Sequence, residues 1–186
     1  MTEEEMEQME QMEQMEQLEQ LKKYDISTPF FSLQNINTYG RLVDIYDGDT
    51  MKIILPVMGT YFKFNVRLNG IDTCEIKSHN IENKNKAIKA RNRICEMIET
   101  IHGNYADAKL ETHKEIKEYL NSITCIIFVK CYKFDKYGRL LVDIYIDHET
   151  VNCKSISEIL LSENLAYAYD GGTKRGEKEQ ITENII

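Results

Sequence analysis

The sequence predicts an α+β fold that is mainly β-structure: a small, partly open five-stranded barrel with helices packed outside it, behind a low-complexity helical tail. Three observations lead there. Five strand-like runs rich in β-branched and aromatic residues recur between residues 41 and 147. The order is strands, helices, strands, then a helix, rather than strict alternation. Turn sequences at Asp47-Gly48-Asp49 and Asp135–Gly138 join neighbouring runs as hairpins.

The first element is the tail. Residues 6–21 repeat Met-Glu-Gln, then substitute Leu18 and Leu21 for Met. Every residue type there favours helix, and Thr2 with Glu5 forms a capping-box signature. A period of three falls about 60° short of a turn at each step, so the apolar stripe wanders around the helix and offers no lasting seam. A frayed helical tail over residues 1–23 is expected, with a partner-binding or dimerising helix as the alternative. Residues 24–40, with Pro29, read as a linker into a domain over 41–175, and 176–186 as a C-terminal tail.

Within the domain, residues 41–46 and 50–55 form the first hairpin around Asp47-Gly48-Asp49. Residues 61–69 alternate, putting Phe62, Phe64, Val66 and Leu68 on one face. Ala87, Ala90, Ile94, Met97, Ile98 and Ile101 recur at helical spacing over 85–101, and His102-Gly103-Asn104 ends that helix. A second helical segment follows over 107–121, then strands over 123–133 and 139–147. Ser155 and Glu158 cap a helix over 156–163, and Asn164 suits the left-handed position that ends it.

Charge is unevenly placed. The net formal charge of the 186 residues is -8, yet residues 1–21 hold eight glutamates and no lysine or arginine. The remainder carries 23 acidic and 23 basic side chains and is formally neutral. Nucleic-acid binding must therefore come from local placement of charge rather than from the field of the whole body. Five cysteines without a C-x-x-C pair argue against a disulfide framework and against a zinc knuckle, and for reduced thiols in an intracellular setting. The acidic N-terminus matches neither a secretory signal nor a mitochondrial presequence. No apolar run approaches membrane-spanning length. The four histidines share no metal-ligand spacing and are read as solvated or structural.

Three segments carry chemistry. Asp47 and Asp49 flank a glycine; alone, this is a plain hairpin turn, but Asp49 enters the next strand, where a carboxylate is costly unless exposed or bound to a cation. Arg67 and Asp72 are five apart and would face opposite ways on a regular strand, unless Gly70 bends the chain between them. Asp49 with Asp72 gives a hard-cation site of oxygen donors, incomplete without water or a substrate phosphate. Glu75 is then placed to orient or deprotonate water. Arg67 and Arg139 offer planar guanidinium forks that match a phosphate. Lys136, Tyr137, Tyr167 and Tyr169 are candidates to wall a nucleotide by charge and stacking, with core packing an even alternative for the two later tyrosines.

The segments Val43–Thr50, Val66–Glu75, Asp135–Arg139 and Leu165–Tyr169, in this order, resemble the staphylococcal nuclease-like (thermonuclease) domain over roughly residues 41–175. The resemblance implies an OB-fold barrel with flanking helices and a calcium-dependent nuclease acting on DNA or RNA, leaving 3′-phosphate ends. By position, it implies Asp49 and Asp72 as calcium carboxylates with the Thr73 carbonyl beside them, and Glu75 as general base. It likewise implies Arg67 and Arg139 as phosphate ligands, and Lys136, Tyr137, Tyr167 and Tyr169 as the nucleotide pocket. Cys74 stands where the family usually has proline. The segment 102–122 is longer than in compact secreted members. The final helix after Tyr169 is expected to be short or absent, an ending similar to intracellular and large-DNA-virus versions.

The reading is a monomeric nuclease without membrane association, its acidic tail available to a protein partner. The alternative is a catalytically silent nucleic-acid- or protein-binding module.

Overall fold

The computed structural model describes residues 1–102, 110, 112–146 and 153–172. It divides into two compact units, Met1–Ser32 and Leu33 onward.

The first unit is dominated by helix α1 (Glu3–Leu21). Glu5 N donates to Thr2 Oγ1 and Thr2 N to Glu5 Oε2, so the expected capping box forms. No residue of α1 is buried, as a stripe that circles the helix dictates.

The second unit is a closed barrel in the order β1-β2-β3-β6-β5. Its strands are β1 (Asn37–Ile45), β2 (Thr50–Val57), β3 (Thr60–Leu68), β5 (Ile126–Phe134) and β6 (Leu140–Tyr145). The short strands β4 (Ile71–Asp72) and β7 (Tyr167–Ala168) form a separate antiparallel pair. Helices α2 (Ile81–His102), α3 (His113–Ile123) and α4 (Ile156–Ser162) complete the unit. None of the described helices is long and apolar enough to cross a membrane.

Two features differ from the sequence expectation. The barrel is closed, not partly open, because Val66–Leu68 of β3 run parallel to Leu140–Val142 of β6. β1 makes the other closure, pairing through Asn37–Arg41 with β5 and through Arg41–Ile45 with β2, with an irregular register between Leu42 and Asp44. β1 starts at Asn37, and Leu33 ahead of it is already buried.

The core holds the inward residues of all five strands, including Leu42, Ile53, Val66, Ile127 and Val142, with Ile94 and Ile98 of α2, Ile116 and Leu120 of α3 and Leu160 of α4. Two apolar residues of the predicted faces fall outside it. Phe62 is exposed, because β3 pairs on both sides only at its C-terminal end. Ile101 is exposed near the end of α2. Of the predicted 107–121 helix, His113–Ile123 is helical and capped by a Thr112–Glu115 box, while residues 107–109 and 111 lie outside the described residues. So do residue 147 of the predicted last strand, His148 and the C-terminal segment from residue 173. The Ser155–Glu158 box caps α4, and Asn164 follows it at φ 58°.

Candidate active site

The β1–β2 hairpin carries the first acids in its connection. Asp47 accepts from Thr50 N at 2.8 Å and Asp49 N at 3.3 Å, which folds the connection into an Asx-type turn. Asp47 is thus a turn residue whose carboxylate is nonetheless buried. Gly48 allows the approach of two neighbours: a Cβ there would sit 2.7 Å from Ala90 Cβ and 2.9 Å from Thr73 Cγ2. Thr50 pairs with Arg67 across β2 and β3, and Leu68 N donates to Asp49 O at 2.9 Å. This register puts Asp49 beside the Arg67 side chain.

Gly70 resolves the Arg67–Asp72 spacing. It takes φ +76°, a conformation that strains any residue with a Cβ, and turns the chain back on itself after β3. Asp72 then meets Arg67 in an ion pair, and Arg67 reaches Asp49 Oδ2 at 2.8 Å. All three are buried: Arg67 is 5% exposed, Asp49 3% and Asp72 0%. The β4–β7 ladder pairs Asp72 with Tyr167, and the Tyr167 hydroxyl donates to Asp72 Oδ2. Thr73 N donates to Asp49 Oδ2 at 3.4 Å.

Three buried carboxylates therefore face one guanidinium. Burial, then the charge of Asp47, pushes the Asp49 carboxyl well above the ordinary carboxylate range, against the pull of Arg67. Burial likewise raises Asp47, partly offset by the Asp49 and Thr50 contacts. Asp72 goes the other way: burial raises it, but Tyr167 and Arg67 outweigh that and hold it low. Burial works against the charge on Arg67, yet Asp49 and Asp72 outweigh it and keep the guanidinium protonated.

This donor set fits a hard cation. Uncompensated carboxylate charge favours one, and the hydroxyl of Thr73, whose N–H reaches Asp49, is a buried oxygen with no hydrogen-bond partner. Asp49, Asp72 and the Thr73 carbonyl are the groups that would hold it. Among the described residues no group of three or more His, Cys, Asp or Glu side chains is arranged as a metal site, and a cation held here would take its remaining ligands from water or substrate.

Glu75 is exposed, three residues beyond Asp72. Between them Cys74 is buried, and its thiol contacts Asn83 Oδ1 of α2 at 3.7 Å. The sequence reading missed Asn83; a lone asparagine early in a helix gave no signal. Arg139 follows β5 in a second loop, where Asp135 accepts from Tyr137 N at 2.8 Å and Arg139 N at 2.9 Å and pairs with the Arg139 side chain at 2.8 Å. Burial raises Asp135, but these bonds from Arg139 and Tyr137 outweigh it and hold it below its ordinary value.

The four candidate pocket residues separate into two settings. Tyr137 is 73% exposed, with Lys136 Nζ 5.2 Å and Arg139 Cζ 5.4 Å from its ring centroid. Tyr169 is half-buried and lies 5.6 Å from Arg67 Cζ. Tyr167 is buried on Asp72, so its hydroxyl positions a carboxylate. The sequence reading left His113 as solvated or structural and gave Asp44 no role; Asp44 is buried and takes His113 Nε2 at 2.5 Å. An acid inside an apolar strand was the available signal.

No curated protein sequence matches the chain. A family model described as staphylococcal nuclease homologue matches residues 65–185, beginning just before Arg67. The hairpin bearing Asp49 precedes that span, and the β2–β3 register joins it to the matched part. That match covers most of the chain, which therefore belongs to the staphylococcal nuclease homologue family.

Proposed function

We propose that this protein is a calcium-dependent nuclease that hydrolyses phosphodiester bonds of DNA or RNA and leaves 3′-phosphate ends. Membership of the family supports nuclease activity or nucleic-acid binding in general. The observation that carries the finer reading is the buried Asp49–Arg67–Asp72 cluster, whose carboxylate charge exceeds what one guanidinium offsets. Asp49, Asp72 and the Thr73 carbonyl would hold a divalent cation, which when bound would supply positive charge to a phosphate oxygen. Glu75, exposed beside this cluster, takes the proton of the attacking water. The water oxygen bonds to phosphorus as the P–O5′ bond breaks; O5′ leaves with the electron pair, takes a proton from solvent and departs as the 5′-hydroxyl, which leaves the phosphate on the 3′ side. Arg67 and Arg139 bind the charge that develops on the phosphate. Lys136, Tyr137 and Tyr169 hold the nucleotide, and Tyr167 orients Asp72. The domain acts as a monomer, and the acidic tail is left for a protein partner.

The test is cleavage of single-stranded DNA and RNA in calcium or in EGTA, with analysis of the ends. Calcium-dependent cleavage to 3′-phosphates is expected; cleavage in EGTA, or none in either tube, overturns the reading.

One observation favours the second reading, a silent binding module. Arg67 is engaged by Asp49 and Asp72, and Arg139 by Asp135. Loss of cleavage with retained binding in Glu75→Gln would exclude it.

A further inference from the structure

A second cluster lies on the same hairpin and loop as the proposed site but takes no part in it. Asp44 of β1 is 2% exposed. Its carboxylate lies 3.3 Å from Lys52 Nζ, 3.3 Å from Lys117 Nζ and 2.5 Å from His113 Nε2. Lys52 is the cross-strand partner of Asp44 on β2, and His113 and Lys117 are one turn apart on α3. One buried carboxylate thus gathers two ammonium groups that stay 42% and 45% exposed. Its single charge offsets only one of them.

Tyr46, two residues on from Asp44, stands beside this charge. Its ring is 37% exposed and meets His113 edge to face at 5.5 Å. Lys77 Nζ lies 5.9 Å from the ring centroid and adds a third ammonium. The nearby acids on α3 are otherwise engaged: Glu115 caps the helix, and Glu118 pairs with Lys114 at 3.7 Å. The cluster continues the proposed site along the chain. Tyr46 precedes Asp47, Lys77 follows Glu75 by two residues, and Tyr46 N donates to Thr50 O at 3.0 Å.

We propose that Tyr46, Lys52, Lys77 and Lys117 form a second contact for single-stranded nucleic acid, holding the segment next to the scissile phosphate. The proposal rests on the nuclease reading for its substrate. An exposed ring among ammonium groups is the combination that grips a single strand, the ring by stacking and the cations along the backbone. A base on Tyr46 displaces the flexible Lys77 side chain from the ring towards a phosphate. His113 fixes the ring edge, and Asp44 fixes the lysines without neutralising them. An acidic peptide would need the lysines but would leave the ring unused.

The experiment uses the full chain, a fluorescent octathymidylate and EDTA, so that binding is read by anisotropy without cleavage. Salt-dependent binding is expected. Lys77→Ala and Lys117→Ala should each weaken it and make the log Kd against log salt slope shallower by about 0.7. Tyr46→Leu should weaken it about tenfold with the slope unchanged, and Tyr46→Phe should restore it. Unaltered affinity in all three weakened variants, or no binding by the parent chain, overturns the proposal. Equal competition by an oligoglutamate of the same charge also overturns it, in favour of an acidic peptide. The nuclease reading fails separately, by absence of calcium-dependent cleavage in the parent chain. Unchanged melting temperatures in the lysine variants exclude a folding effect.

Discussion

The Arg67 guanidinium lies 2.8 Å from the Asp49 carboxylate and pairs at the same time with Asp72. The proposed phosphate ligand is therefore the counter-ion of the proposed metal ligands. Either a cation or a phosphate that enters must re-partition these pairs. Removing Arg67 and removing Arg139 should then have different consequences. Arg67→Ala leaves two buried carboxylates without their guanidinium counter-ion and should destabilise by roughly 3–5 kcal/mol, as well as abolishing cleavage. Arg139 is partly exposed, and its ion pair with Asp135 contributes at most about 1 kcal/mol. Arg139→Ala should fold normally and lower kcat about a hundredfold or more. Chemical denaturation and steady-state kinetics on the two variants check this.

Asp49 is the acid whose ionisation the fold opposes most clearly. Its raised carboxyl means that, without metal, stability falls as pH rises from the ordinary value of 3.8 through the higher folded value. Asp49→Asn removes that fall. It should raise the melting temperature at neutral pH in EDTA, at roughly 2–4 °C per kcal/mol relieved. Calcium should stabilise the parent chain and not the variant. Thermal melts with EDTA and with calcium, over pH 4 to 8 in both proteins, measure the two effects.

Asp72 has the opposite sign. Its lowered carboxyl contributes stability above the ordinary value of 3.8, and that contribution is lost as pH falls through the lower folded value. Tyr167 is the first of the groups that lower it. Tyr167→Phe should cost about 1.5–3 kcal/mol at neutral pH, as expected for a hydrogen bond to a charged group. It should also shift acid unfolding to higher pH. A pH titration of circular dichroism reads the shift, and an unmoved midpoint would mean that Tyr167 does not hold the ionised carboxylate.

These relationships divide by how local their causes are. The Asp47 turn, the Ser155–Glu158 cap and the helical face of Ala87–Ile98 follow from neighbours a few residues away, so the sequence displays them. Arg67 and Asp72 were legible as a pair only through Gly70, whose freedom at positive φ the sequence signals without giving the direction of the turn. The β3–β6 pairing that closes the barrel joins segments more than 70 residues apart, and no local pattern encodes it. The burial of Tyr167 depends on the β4–β7 ladder, two residues long on each side and too short to carry a periodicity. Asp44 escaped for a like reason, because its partner His113 comes from a distant helix, whereas Asn83 escaped as a single polar residue whose partner Cys74, nine residues earlier, belongs to no periodic pattern.

Cys74 illustrates that last class and gives the final prediction. Where a proline would stiffen the backbone, this chain ties the residue before Glu75 to Asn83 of α2 through a thiol contact at 3.7 Å. Cys74 is 2% exposed and Asn83 0%, so water does not compete for this contact. Asn83→Ala should loosen the loop that presents Glu75 while leaving the carboxylate and arginine cluster in place. The expected result is a kcat lowered about tenfold with KM for nucleic acid unchanged, since Glu75 acts on the water and not on substrate binding. Cys74→Ala should shift kcat in the same direction by less, because a thiol is a weak donor. The double variant should fall short of the product of the two single effects, as residues that share one contact do. If KM rises instead, or if the single effects multiply in full, the Cys74–Asn83 contact does not position Glu75.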